Sequence, residues 1–202
     1  MKQVADCLLD IGAVTLSPKD PYTWASGIKA PIYCDNRLLM SHPQEWEIVI
    51  ESLISLIHEK YPQVDYIMGT ATAGIPHGAL IAYRLKLPMG FVRGKAKDHG
   101  KGKRIEGEIV KGANCLVIED LFSTGGSSIE AAKACVEEGF NVLGILSIFT
   151  YDLKKGGENF AKSGFDHQSA TNLEELLGVA IERKDITEEE GREILAWKDQ
   201  LE

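Results

Sequence analysis

The sequence predicts an α/β fold, a parallel sheet flanked by helices with a small additional region at the N-terminus. Three observations point to it. Short apolar runs alternate with stretches of helical periodicity from residue 41 onward. The runs at 113–118 and 141–150 are almost continuously apolar, as strands covered on both faces must be. The chain is 202 residues long, 44% apolar and 26% charged, enough to bury one sizeable core.

In chain order, residues 1–40 fit neither period and are assigned to an accessory region. Residues 41–61 read as a helix. Ser41 is placed to cap it, Gln44 stands three residues on, and Pro43 falls in the first turn, where its missing amide hydrogen costs little. Trp46, Val49, Ile50, Leu53, Ile54 and Ile57 then recur at helical spacing, and Pro62 stops the run. Residues 64–69 form a short, mostly apolar strand candidate followed by the small residues TATAG. Residues 76–85 suit a helix and 87–92 a strand. After 113–118, Ile129, Ala132, Cys135 and Val136 mark a helix ending near Gly139, and 141–150 follows as a buried strand. Thr171 with Glu174, and Thr187 with Glu190, are capping boxes for two C-terminal helices. No repeat or linker interrupts the chain, so residues 1–202 read as one domain, with the core at about 41–155 and the C-terminal helices at about 171–202.

No run of eighteen apolar residues is present, and the N-terminus lacks the features of a secretory signal. The expectation is a cytoplasmic protein with no membrane partner. Cys7, Cys34, Cys115 and Cys135 form no C-x-x-C pair and have no histidine at metal-ligand spacing, which predicts buried, reduced thiols. The net charge of −8 argues against nucleic acid as a partner. That charge is uneven: RGKAKDHGKGKR at 93–104 carries six Lys or Arg and one Asp, and the rest of the chain is strongly acidic.

The segment CLVIEDLFSTGGSS (115–128) joins a buried strand to a turn of small residues and then a helix. In open α/β sheets, ligands bind at the carboxyl ends of strands. Glycines there admit close backbone approach, and the helix start offers free amides and the positive end of its dipole. The hydroxyls of Ser123, Thr124, Ser127 and Ser128 add donors. Together they suit a phosphate monoester. Glu119 and Asp120 do not bind phosphate, but they accept hydrogen bonds from vicinal hydroxyls and attract cations. A phosphorylated pentose satisfies both halves. GTATAGIP has the glycine spacing of a nucleotide-binding P-loop, but Ile75 and Pro76 stand where Lys and Ser or Thr are required.

VIEDLFSTGGSS resembles the phosphoribosyl-diphosphate signature of the type I phosphoribosyltransferases. YTWASGIKAPIYCDNR (22–37), GTATAGIPHGALIA (69–82), VRGKAKDHG (92–100) and IFTY (148–151) narrow the resemblance to the orotate phosphoribosyltransferases. The resemblance implies a type I phosphoribosyltransferase-like sheet with an N-terminal hood, a homodimer, Mg²⁺ dependence, and transfer of the phosphoribosyl group from phosphoribosyl diphosphate to orotate. Lys97, Asp98 and His99 become the catalytic candidates. Arg93, Lys97, His99, Glu119, Asp120, Leu121, Phe122, Ser123, Thr124, Gly125, Gly126 and Ser127 become the phosphoribosyl-diphosphate contacts. Ser123, Lys29 and Arg37 become the orotate contacts. The metal is expected on diphosphate, ribose and water rather than on protein ligands. The basic segment, rich in glycine and cations, reads as a lid that closes on diphosphate and serves the neighbouring subunit.

The chain also departs from the family pattern. Many members have lysine where Ala25 and Ala73 stand, some have arginine at Tyr151, and a second basic residue often occupies the place of Gly94. Lys95, Lys101 and Lys103 are the candidates to compensate. Tyr33 reads as core. His42, His58, His77 and His167 read as surface or loop residues. Two other functions stay open: a purine phosphoribosyltransferase, which should lack the SGIKAPIYCDNR and KAKDHG segments, and a non-catalytic transcriptional sensor, which needs a DNA-binding module not evident in the first sixty residues.

Overall fold

The computed structural model describes residues 1–23, 27–94 and 104–201. The chain begins with α1 (Lys2–Asp10), followed by the short strands β1 (Val14–Leu16), β2 (Tyr22–Thr23), β3 (Lys29–Ala30) and β4 (Ile32–Cys34), and by a 3₁₀ turn, Asn36–Ser41. Then come α2 (Pro43–Lys60), β5 (Tyr66–Thr70), α3 (Gly74–Leu85), β6 (Met89–Val92) and β7 (Ile105–Glu106). The sequence continues through β8 (Asn114–Phe122), α4 (Gly126–Glu137), β9 (Asn141–Thr150), α5 (Lys154–Ser163), β10 (His167–Asn172), α6 (Leu173–Glu182) and α7 (Glu188–Gln200).

Six strands form the main sheet in the order β10-β9-β8-β5-β6-β7. All neighbours are parallel except β6 and β7. Chain order reverses between β8 and β5, the switch point at which such sheets bind ligands. One face packs on a core that includes Leu8, Ile50, Leu53, Leu173 and Ile194, drawing on α1, α2, α6 and α7. The other packs Met68, Val117, Ile129, Cys135 and Phe160 beneath α4 and α5. The N-terminal strands pair only among themselves, β1 with β4 and β2 with β3. The predicted parallel sheet with flanking helices and a small N-terminal addition is therefore what the chain forms.

Several local expectations are corrected. Residues 36–41 form a 3₁₀ turn, so Ser41 ends that turn instead of capping α2; His42 takes the cap position without a side-chain bond, and Pro43 opens the helix. At α6 the cap is Asn172, whose side chain accepts from the Glu175 amide at 2.9 Å, while Thr171 is buried in β10. The capping box of Thr187 and Glu190 forms as expected. Strand β8 runs four residues beyond Ile118, so Glu119 and Asp120 belong to the strand. Cys7, Cys115 and Cys135 are buried thiols, whereas Cys34 is half-buried.

Two long connections tie the accessory strands to the body. Asn36 is fully buried and its Nδ2 donates to the Asp120 carbonyl at 2.8 Å. Trp197, on α7, donates from Nε1 to the Lys29 carbonyl at 2.8 Å.

Candidate active site

At the carboxyl ends of β5, β6 and β8 lies an open cavity of about 510 Å³. Its walls include Thr70 at the end of β5 with Ala71, Thr72 and Ala73 after it; Arg93 and Gly94 after β6; Arg104 before β7; Glu119 and Asp120 on β8; and Gly126 and Ser127 at the start of α4. The Ala71–Thr72 peptide bond is cis. Gly74 lets α3 begin directly against β8, because a Cβ there would lie 2.3 Å from the Ile118 carbonyl oxygen.

The two acids are held before any ligand arrives. Glu119 is buried. Its Oε1 accepts from the Asp120 amide at 3.1 Å and its Oε2 from the Ser128 hydroxyl at 3.1 Å. Burial raises its carboxyl from the usual 4.5 to about 7, opposed by the neighbouring Thr70 hydroxyl. Asp120 is raised as well, by burial first; Glu119, its own amide and the Arg37 charge pull the other way. A pair of adjacent, desolvated carboxyl groups facing a cavity is suited to sugar hydroxyls and to a cation carried by a ligand.

The turn after β8 divides its residues between two sides. Gly126 and Ser127 face the main cavity, where the first amides of α4 are free to meet an anion. Gly125 has φ +72°, and a Cβ there would meet the Phe160 ring at 2.6 Å, so the turn needs glycine. Thr124 is anchored from α5, with Asn159 Nδ2 donating to its carbonyl at 2.9 Å. Ser123 is exposed and borders a second hollow of about 240 Å³, together with Thr150, Lys154 and His167. Leu121 packs against the core, and the Phe122 ring sits against Phe160 with centroids 5.0 Å apart. The side chains of Leu121 and Phe122 thus support the turn, leaving only their backbone to a ligand. Ser128 is likewise buried and bonded to Glu119, so its hydroxyl does not point toward a phosphate.

Arg93 reaches the main cavity and pairs with Glu106 at 3.4 Å. Arg104 lines the same cavity from the far end of the basic segment. Lys97, Asp98 and His99 lie outside the described residues, as do Ala25, Lys95, Lys101 and Lys103. Lys29 and Arg37 sit in the accessory region and line neither hollow. Lys29 Nζ donates to the Thr23 hydroxyl at 2.6 Å. Arg37 forks onto Asp35, with Nε to Oδ1 at 2.6 Å and the second nitrogen to Oδ2 at 2.7 Å.

Tyr33 is 44% exposed, against the expectation of core packing, because β4 turns it outward toward Tyr22. His77 is fully buried instead of lying at the surface, and accepts from Trp46 Nε1 at 2.9 Å. Tyr151 is buried and packs edge-on against Phe149. Asn36, Thr70, Ser128 and Asn159 support the site in ways the sequence did not announce. Asn36, Thr70 and Asn159 act through contacts between residues far apart in the chain, which no local pattern signals, and Ser128 through a bond to Glu119 nine residues earlier, which depends on how strand and helix meet.

Comparison with known proteins agrees with this geometry. The phosphoribosyl transferase domain family matches residues 40–175. An orotate phosphoribosyltransferase of Enterococcus faecalis is 52% identical over 197 residues, 98% of this chain and 94% of that protein. One from Staphylococcus haemolyticus is 48% identical and covers 99% of both chains. The crystal structure of orotate phosphoribosyltransferase from Aeropyrum pernix superposes with a TM-score of 0.78 at 26% identity, covering 90% of this chain and 98% of that one. The UMP synthase of Leishmania donovani gives a TM-score of 0.81 at 26% identity over 98% of this chain, which spans 42% of that longer protein. A match across most of the chain, at about half identity and with the same sheet, places this chain in the orotate phosphoribosyltransferase family.

Proposed function

We propose that this protein transfers the 5-phosphoribosyl group of phosphoribosyl diphosphate to N1 of orotate, giving orotidine 5′-phosphate and diphosphate. The observation that carries the reading is that the Glu119–Asp120 pair and the amide-rich start of α4 line one cavity together. The acids take the ribose hydroxyls, and the turn from Ser123 to Ser127 takes the 5′-phosphate. The N1–C1 bond forms as the bond from C1 to diphosphate breaks, with inversion at C1. The electron pair leaves with diphosphate and the N1 proton departs. Positive charge grows on the sugar ring, and the two carboxylates face it.

Arg93 and Arg104 put cationic charge on the side of the cavity toward β6, and the segment between them carries Lys97 and His99 for the leaving group, with Asp98 orienting them. Ser123, Lys29 and Arg37 are assigned to orotate on the family resemblance; Lys29 and Arg37, bonded here to Thr23 and Asp35, would have to turn toward the base. Mg²⁺ completes the reading: the two adjacent acids lining the cavity suit an ion delivered on diphosphate and ribose oxygens. Such an ion, when bound, neutralises the leaving charge. A homodimer that shares its lids is favoured by exposed apolar side chains in the accessory region, Ile28, Tyr33, Leu38 and Met40. No helix among the described residues is long and apolar enough to cross a membrane, and a cytoplasmic location is part of the proposal.

Absorbance at the orotate band tests the reading. Orotate should disappear only when both phosphoribosyl diphosphate and Mg²⁺ are present, with uracil, adenine and hypoxanthine poor competitors. Equal use of a purine base would replace orotate in the proposal, and no turnover with any base would favour the sensor.

A further inference from the structure

The phosphate-binding turn and the ribose-reading acids are joined by a buried bond that the reaction as proposed does not require. Ser128, in the first turn of α4, donates its hydroxyl to Glu119 Oε2 at 3.1 Å. Ser128 is 1% exposed, so it cannot itself touch a ligand. Its neighbours in the helix, Ile129, Ala131 and Ala132, are apolar and packed on the core, so an alanine would suit this position by packing alone. A buried hydroxyl is costly unless it is bonded, and this one is spent on the carboxylate. The other carboxylate oxygen, Oε1, is fixed by the Asp120 amide at 3.1 Å. Beside the acid, the Thr70 hydroxyl donates to the Ile118 carbonyl at 3.1 Å, fixing the strand that carries it.

We infer that Ser128 is a positioning residue that locks the Glu119 carboxylate toward the ribose hydroxyls, so that the helix forming the phosphate site also sets the sugar selectivity. The inference rests on the functional reading above and deepens it. One carboxylate oxygen is tied to the strand's own backbone and the other to the helix. With the helix tie removed, the carboxylate is free to rotate about the first contact, and its aim at a hydroxyl is lost. Phosphate binding by the amides of the same turn is untouched.

Titration calorimetry on the whole protein decides it. The probes are ribose 5-phosphate, its 2-deoxy and 3-deoxy analogues, and inorganic phosphate. The wild type should prefer ribose 5-phosphate over both analogues. In Ser128→Ala at least one of those preferences should shrink by about tenfold, the size of one hydrogen bond to a charged group. Affinity for inorganic phosphate should stay within about twofold, since those amides are unchanged. Ser128→Cys, nearly isosteric but a weak donor, should follow the alanine variant, and it carries the test alone if the alanine variant fails to fold. Undiminished sugar preference in either variant overturns the inference. So does a parallel loss of inorganic phosphate binding, because Ser128 would then merely hold the helix together, and so does full selectivity in the cysteine variant, because volume would then be the cause. A wild type that binds phosphate without distinguishing the sugars overturns the functional reading itself, and this inference with it.

Discussion

Burial holds the Glu119 carboxyl at about 7, above its usual 4.5. An acid whose pKa is raised on folding keeps its proton longer in the native state. Its contribution to stability therefore declines as pH rises through that window, from 4.5 to about 7. His77 acts with the opposite slope: burial lowers it from 6.5 to about 4, so acid costs stability as pH falls through that interval. Comparison of Glu119→Gln with wild type removes the histidine contribution. The variant should gain on the order of 3 kcal/mol at pH 8 and close to nothing at pH 4, as read by thermal unfolding. An equal gain at both values would show that the carboxyl is not desolvated. At the same scale, Asp120→Asn should raise the KM for phosphoribosyl diphosphate more than that for orotate; the reverse order in steady-state kinetics would reassign the acids. The identity of both acids was legible in the sequence from their place after an apolar run. The orientations of Ser128, His77 and Tyr33 were not, because which way a side chain points depends on how its element packs in the folded chain. Ser128 follows the phosphate turn directly, yet the helix rotates it inward onto Glu119.

Among the elements, α4 and β8 were foreseen because their apolar periodicity is strong. α5 and β10 were not. KKGGENFAKS holds two glycines and one large buried side chain, Phe160, and HQSATN is mostly polar, so neither displays the period of what it forms. They form through contact. Phe160 stacks on His167 with ring centroids 4.0 Å apart, and β10 pairs with the edge of β9. Helix α5 also braces the turn after β8, through Asn159 at the Thr124 carbonyl and through Gly156, where a Cβ would lie 2.7 Å from the Ser123 carbonyl oxygen. Asn159→Ala should therefore raise the KM for phosphoribosyl diphosphate about five- to tenfold, the worth of one hydrogen bond, with unchanged circular dichroism. An unaltered KM would mean that the turn holds its shape without α5.

For the whole molecule, the sheet and the direction of its strands follow from alternation of strand and helix, whereas the joining of the accessory strands to the body does not. Asn36 and Trp197 make that joint across separations of 84 and 168 residues. Subunit sharing is the functional claim at this scale. Lys97→Ala should cut turnover by orders of magnitude while leaving the fold intact. Mixed with Asp120→Asn, it should recover part of the wild-type rate, since a heterodimer would contain one site with both an intact lid and an intact acid pair. No recovery in heterodimers shown to form would argue for self-contained sites. The bond from Trp197 to the Lys29 carbonyl also gives the protein an optical gauge. The chain has three tryptophans. With Trp24 and Trp46 replaced by phenylalanine, the remaining indole emits from the seam between the last helix and the strand bearing Lys29. A change in its emission wavelength when orotate is added would track that seam directly, in real time and without a label.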